Sequence, residues 1–94
     1  MWLIDLFYGM RKTRKSDIPE DLAGEMMKKL GARIKFLREQ KGYTSYELFA
    51  YQHDFSRSQY GGYERGENLT FLSLLKIVRA FDMTLPEFFN EGFD

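Results

Sequence analysis

Apolar residues recur along this chain at the spacing of a helix and rarely alternate as a strand would require. Leu22, Met26, Leu30, Ile34 and Leu37 follow at steps of four, four, four and three, one face of a helix over residues 19–40. Ser16 or Asp17 can cap it, Pro19 suits its first turn, and Glu20 and Asp21 sit where the helix dipole favours acids. Gly42 supplies the stop. Gly31, in the middle, could split this into two helices, but one helix from Pro19 to Gln40, straight or bent there, is expected.

The next boundary is more specific. "TSYE" at 44–47 fits a capping box, with Thr44 accepting from the amide of Glu47 and the Glu47 side chain reaching back to the amide of Thr44. Tyr43 and Leu48 take the places of a hydrophobic staple. This helix is expected to end near residue 52, with a turn at His53 and Asp54. Ser56 then caps a helix that ends near residue 64, and "ERGEN" closes it with Gly66 as the left-handed residue. Thr70 caps "FLSLLKIVRAF", where Phe71, Leu74, Leu75, Val78 and Phe81 form an apolar face with Lys76 and Arg79 outside it. A second capping box, "TLPE" at 84–87, opens a short helix carrying Phe88 and Phe89. Only the first ten residues leave room for a strand. The fold class predicted is all-α: a bundle of about five helices over 19–94, preceded by an N-terminal segment, 1–18.

Composition narrows the class. The 94 residues, 44% hydrophobic and 30% charged, suit one small domain that is neither disordered nor membrane-embedded. The absence of cysteine removes disulfides, thiolate zinc sites and cysteine nucleophiles together, and small domains without such staples often gain stability by dimerising. The opening "MWLIDLFYGM" is shorter than the ~20 apolar residues of a bilayer span. The charges of "RKTRK" follow that run, whereas in a signal peptide they precede it. A soluble cytoplasmic protein is expected. Trp2, Leu3, Phe7 and Tyr8 then need cover, from the chain's own core or from a dimer contact.

The net charge is zero, from 14 basic and 14 acidic residues, but its distribution is uneven. Residues 10–41 hold ten Lys/Arg against five Asp/Glu, and residues 82–94 hold four acids and no base. Such a chain can carry a one-sided field without net charge. Catalysis has little to work with. His53 is the only histidine, no nucleophile elbow surrounds any serine, and no ligand spacing suggests a metal. Neither an enzyme nor a cofactor is expected, and His53 beside Asp54 reads as a turn or capping residue.

Short helices joined by turns of about three residues, the second capped by serine, have the geometry of a helix-turn-helix. The stretches "LGARIKFLREQKGYT", "YELFA", "SRSQYGGYERGEN", "LSLLKIVRAFDMTL" and "EFF" resemble the Cro/lambda-repressor-type helix-turn-helix domain of prokaryotic and phage regulators over residues 30–89. The "ERG" and the "LL-K-I-x-x-A-F" pattern are its most diagnostic parts. The resemblance implies a sequence-specific DNA-binding transcriptional regulator of the repressor type. Its supporting helix would follow Thr44 and its recognition helix, 56–64, would enter the major groove of double-stranded DNA. One short helix reads few base pairs, so a homodimer on a two-fold operator is expected.

On the recognition helix, Tyr60 and Tyr63, with Phe55 before the cap, are expected to face the core. That leaves Arg57, Ser58, Gln59, Gly61 and Gly62 towards DNA. Gln59 can pair with adenine N6 and N7, Arg57 with guanine O6 and N7 or a phosphate, and Ser58 can donate to either. Ser45 and Tyr46 can bond phosphates, helped by exposed helix N-terminal amides, and Arg65 and Asn68 are further phosphate candidates. Arg57 has the alternative of a solvated charge or a partner for Glu64, while Glu64 and Arg65 read as a structural pair or cap. "RKTRK" is either a solvated linker or an arm for phosphates or a minor groove. The glycine pair costs ~1 kcal/mol per residue relative to alanine. Its expected use is to let the backbone lie close to DNA, leaving two blank positions in the base code.

Two features depart from the family pattern. Ser45 opens the supporting helix where a glutamine that bonds the DNA backbone is usual. One residue more than usual separates Thr44 from Ser56; the capping-box register puts it in the turn at His53 and Asp54, with Phe49 at a site usually held by alanine. The rival reading keeps the fold as a protein-interaction module or an antitoxin-like binder of a protein partner. Zero net charge, the glycine pair and the apolar N-terminus favour it; the polar trio Arg57, Ser58 and Gln59 argues against it.

Overall fold

The long stripe becomes one unbroken helix, α1 (Glu20–Gln40), in a computed structural model that describes residues 16–94. The expectations for the apolar opening and for "RKTRK" lie outside the described residues. After α1 come α2 (Tyr46–Gln52), α3 (Arg57–Glu64), α4 (Phe71–Ala80) and α5 (Leu85–Phe89), with no strand among the described residues. Pro19 itself holds the N-cap position of α1 without a side-chain cap bond, so the cap expected from Ser16 or Asp17 is replaced. The other end closes as expected. Gly42 is left-handed (φ 93°), and the Tyr43 amide donates to the Arg38 carbonyl at 3.2 Å.

Only the second half of the α1 stripe is covered among the described residues. Ile34 is fully buried and Leu30 and Leu37 pack on the core, whereas Leu22 and Met26 remain 45% and 37% exposed. Gly31 neither breaks nor splits the helix. A Cβ built there would lie 2.6 Å from the Glu64 carbonyl oxygen and 2.7 Å from that of Tyr63, so α1 and the end of α3 cross backbone to backbone. Gly24, on the same helix, has nothing among the described residues within 4 Å of a built Cβ. Gly24→Ala therefore changes helix propensity alone and is expected to stabilise by about 0.5–1 kcal/mol, read as a higher urea midpoint. A lower midpoint would mean that the space around Gly24 is occupied.

Phe49 sits at the centre of the core, its ring 5.1–5.3 Å from those of Tyr43, Tyr60 and Phe81. Around it are Ile34, Ala50, Leu74, Ile77, Val78 and Phe88. The buried face of α4 is Leu74, Ile77, Val78 and Phe81, at i, i+3, i+4 and i+7. Phe71 and Leu75, expected on that face, flank it and are exposed. In α5, Phe88 is buried and Phe89 is exposed on one side, its ring against those of Phe88 and Phe93.

Buried Arg33 closes the end of α5, donating from Nε to the Phe88 carbonyl (2.7 Å) and from Nη2 to that of Glu87 (3.1 Å), which satisfies carbonyls left free at a helix C-terminus. The Thr84–Glu87 capping box forms as expected. The Thr84 amide and hydroxyl hold the Glu87 carboxyl below its ordinary value. Its share of the cap is therefore present above the ordinary carboxylate range and is lost as pH falls through that lowered value. The uneven charge of the sequence partly closes on itself here. Lys41 pairs with Asp82 (3.1 Å), Arg33 approaches Glu91 (3.9 Å) and Lys29 donates to the Asp94 carbonyl (2.7 Å).

Candidate nucleic-acid interface

Ser45, and not Thr44, caps α2. Its backbone is extended (φ −111°, ψ 128°) and its hydroxyl accepts from the Leu48 amide at 3.2 Å. The Glu47 carboxylate accepts from the Ser45 hydroxyl (3.1 Å) instead of closing a box onto Thr44. This shift of one residue resolves the spacing departure, whereas the glutamine usual at the opening of the helix is still absent, its place taken by Tyr46. The additional residue lies ahead of the helix instead of in the turn, Tyr46 opens α2 in place of Ser45, and the small buried residue is Ala50, beside Phe49. The expected staple of Tyr43 with Leu48 does not form: Tyr43 packs edge to face on Phe49, and Leu48 faces solvent.

The turn between α2 and α3 is closed by Asp54, which is left-handed (φ 63°), a conformation aspartate tolerates better than most residues. The Phe55 amide then reaches back to the Ala50 carbonyl at 2.8 Å. The ring of Phe55 packs on Tyr60 (5.7 Å) and fixes the direction in which the chain enters α3. Ser56 caps α3 through the Gln59 amide (3.4 Å), as expected. Tyr60 is fully buried and Tyr63 half-buried, while Arg57, Ser58 and Gln59, on the first turn, all stand exposed.

The end of α3 is held by a pair that sequence reasoning missed. Glu64 accepts from Arg38 Nε (2.7 Å) and Nη2 (3.0 Å), while Arg38 Nη1 donates to the Tyr43 carbonyl (2.6 Å). Both side chains are more than nine-tenths buried. The expected partners of Glu64, Arg57 or Arg65, are thus replaced by Arg38. A signal existed: Arg38 lies four residues after Ile34, in line with the buried stripe, where a charge demands a partner. The Tyr60 hydroxyl is buried and has no hydrogen-bond partner among the described residues. Burial, reinforced by the Glu64 carboxylate, pushes its pKa well above the ordinary value, so it stays protonated.

Gly61 and Gly62 are not the bare outward surface expected of them; both are buried. A Cβ on Gly61 would lie 2.6 Å from Cε1 of the Tyr46 ring and 3.2 Å from Arg65 Nη1. One on Gly62 would lie 2.7 Å from Cδ of Glu67. The pair forms a trough that Tyr46, Arg65 and Glu67 cover. Two features produce this: the Tyr46 ring, at the start of α2, lies over Gly61, and left-handed Gly66 (φ 95°) turns the following loop back over Gly62. Arg65 pairs with Glu67 at 3.2 Å, both exposed.

One continuous surface thus carries Arg57, Ser58 and Gln59 with Tyr46 and Arg65. Ser45 is engaged as the α2 cap beside it, and Asn68 is exposed in the loop beyond Glu67. Among the described residues no helix is long and apolar enough to cross a membrane.

Comparison with known proteins leads to the same architecture. The helix-turn-helix family model matches residues 34–88. The control protein C.MunI of a Mycoplasma species is 36% identical over 64 residues, which span 67% of this chain and 86% of that protein. The restriction-modification controller protein C.AhdI from Aeromonas hydrophila is 38% identical, with a TM-score of 0.60 over 67% of this chain and 96% of its own. The wild-type restriction-modification controller protein C.Esp1396I is 32% identical, with a TM-score of 0.61 over 69% of this chain and 84% of its own. With the cap, turn, buried tie and polar face all in place, this chain belongs to the lambda-repressor-like helix-turn-helix family of DNA-binding transcriptional regulators.

Proposed function

We propose that this chain represses transcription as a homodimer on a two-fold operator, with α3 in the major groove, in the control of restriction–modification genes. The observation that carries the reading is the trio Arg57, Ser58 and Gln59, exposed on the first turn of a helix whose opposite face is locked into the core. N-terminal residues of a recognition helix are those that reach base edges. Tyr46, Arg65 and Asn68, with Ser45 at the α2 cap, would bond the flanking phosphates. Phe71 and Leu72, both 62% exposed on α4, offer apolar surface to a second copy. The names of the similar proteins support the regulatory setting.

Selection from a random duplex pool tests the reading. A motif with two related half-sites is expected, bound more weakly as salt rises because phosphate contacts release counterions. Arg57→Ala or Gln59→Ala is expected to relax the preference at one base pair by about 1–3 kcal/mol. An unchanged motif would remove that residue from the base code. Failure of the parent to enrich any motif would favour the interaction-module reading.

A further inference from the structure

We infer that Glu67, in the loop after α3, is a specificity-determining residue that supplies from outside the helix the functional group Gly62 lacks. Its ligand would be an exocyclic amine in the major groove, the N4 of cytosine. This rests on the reading of α3 as the recognition helix.

Three observations place the carboxylate on the reading surface. Gly62 lies three residues after Gln59 and four after Ser58, so the three share one face of α3. A Cβ at Gly62 would run into the Glu67 carboxylate, which therefore occupies the space a side chain at 62 would fill. The position is set by the backbone: the Glu67 amide donates to the Gly62 carbonyl at 2.9 Å, and Gly66 provides the left-handed turn that this closure requires. The side chain is 64% exposed, with Oε2 accepting from Arg65 and Oε1 lying over Gly62, on the face that Gly62 shares with Ser58 and Gln59.

The charge decides what it can read. A carboxylate is acceptor-only, so it attracts the cytosine amine. Guanine O6 and N7 and thymine O4 are acceptors and repel it, and adenine sets an N7 acceptor beside its amine. The proximity of DNA phosphates would disfavour any acid here. Arg65, paired with Glu67 at 3.2 Å, offsets that charge and leaves the second carboxylate oxygen for a base. The glycine at 62 is then a requirement for the contact, because even a methyl group must displace the carboxylate.

The test compares the full-length parent with Glu67→Ala, Glu67→Gln and Gly62→Ala. Motifs are selected from random duplexes, and dissociation constants are measured on the selected duplex and its single-base-pair substitutions. The parent is expected to favour cytosine at one position per half-site by about tenfold or more. Glu67→Ala should flatten that position and leave the others intact. Glu67→Gln should move it towards adenine, which an amide pairs bidentately. Gly62→Ala should weaken the same position and no other. If all three variants select the parent's motif, or if Glu67→Ala tightens binding equally on every duplex, Glu67 only repels phosphates and the inference is overturned. If the parent itself enriches no motif, it is the DNA-reading premise that fails, an outcome distinct from unchanged variants.

Discussion

Glu64→Ala is expected to destabilise this protein by about 3–5 kcal/mol, measured by urea unfolding, because it leaves the buried Arg38 guanidinium without its counter-charge. Arg38 is 3% exposed and donates through three nitrogens, two to Glu64 and one to the Tyr43 carbonyl. The loss of the carboxylate removes two charge-assisted hydrogen bonds and most of the compensation for desolvating the cation. Domains of this size have a total stability of ~5–10 kcal/mol, so the loss is a large fraction of what holds the fold. The double replacement Arg38→Met with Glu64→Leu makes the argument sharper. It removes both charges and is expected to lie within ~2 kcal/mol of the parent, since an apolar pair of similar volume needs no desolvation. A loss under ~1 kcal/mol for the single variant would mean the pair is solvated and does not hold α3 to α1.

Gly31→Ala sets two effects of opposite sign against each other. Alanine gains ~1 kcal/mol of helix propensity, and at Gly24 that gain stands alone. At Gly31 the new methyl would meet two backbone carbonyl oxygens, at 2.6 and 2.7 Å, and neither is the movable end of a flexible side chain. The helices must separate, which loosens the Arg38–Glu64 pair, whose arginine lies two turns further along α1. Overpacking of this kind costs ~1–3 kcal/mol and occasionally more; against rigid backbone, and after the propensity gain, we expect a net loss of about 1–2 kcal/mol. Because the colliding atoms belong to Tyr63 and Glu64, the shift would tilt α3, and operator affinity measured at a temperature where the variant is fully folded should fall as well. An equally or more stable variant would show that the crossing of α1 and α3 relaxes at little cost.

The errors of the sequence reading have particular causes. Thr44 and Ser45 are adjacent hydroxyl residues, each able to cap, and the "T-x-x-E" pattern favoured the wrong one by a single position. What decided between them was the fit of Phe49 and Ala50 into the core, which requires Ser45 at the cap. Phe71 and Leu75 obey helical periodicity as well as Ile77 does, and periodicity cannot tell the centre of an apolar face from its flank. Arg38 was legible in principle from its place on the stripe. Its partner, 26 residues away on another helix, was not. Glu67 had no signal at all, because a loop carboxylate gains meaning only from what lies beneath it.

By itself the sequence determined the number and order of the described helices, the serine cap of α3, the left-handed stops at Gly42 and Gly66, the Thr84–Glu87 box and the outward trio Arg57, Ser58 and Gln59. Each of these rests on interactions within about four residues, the span of one helical turn, so the information is local. Only the tertiary structure decided which glycines are crossings and which are open space, which charge Arg38 meets, and what covers Gly61 and Gly62. Those depend on how closely two backbones approach, a distance set by the packing of the whole core and written in no single stretch of the chain.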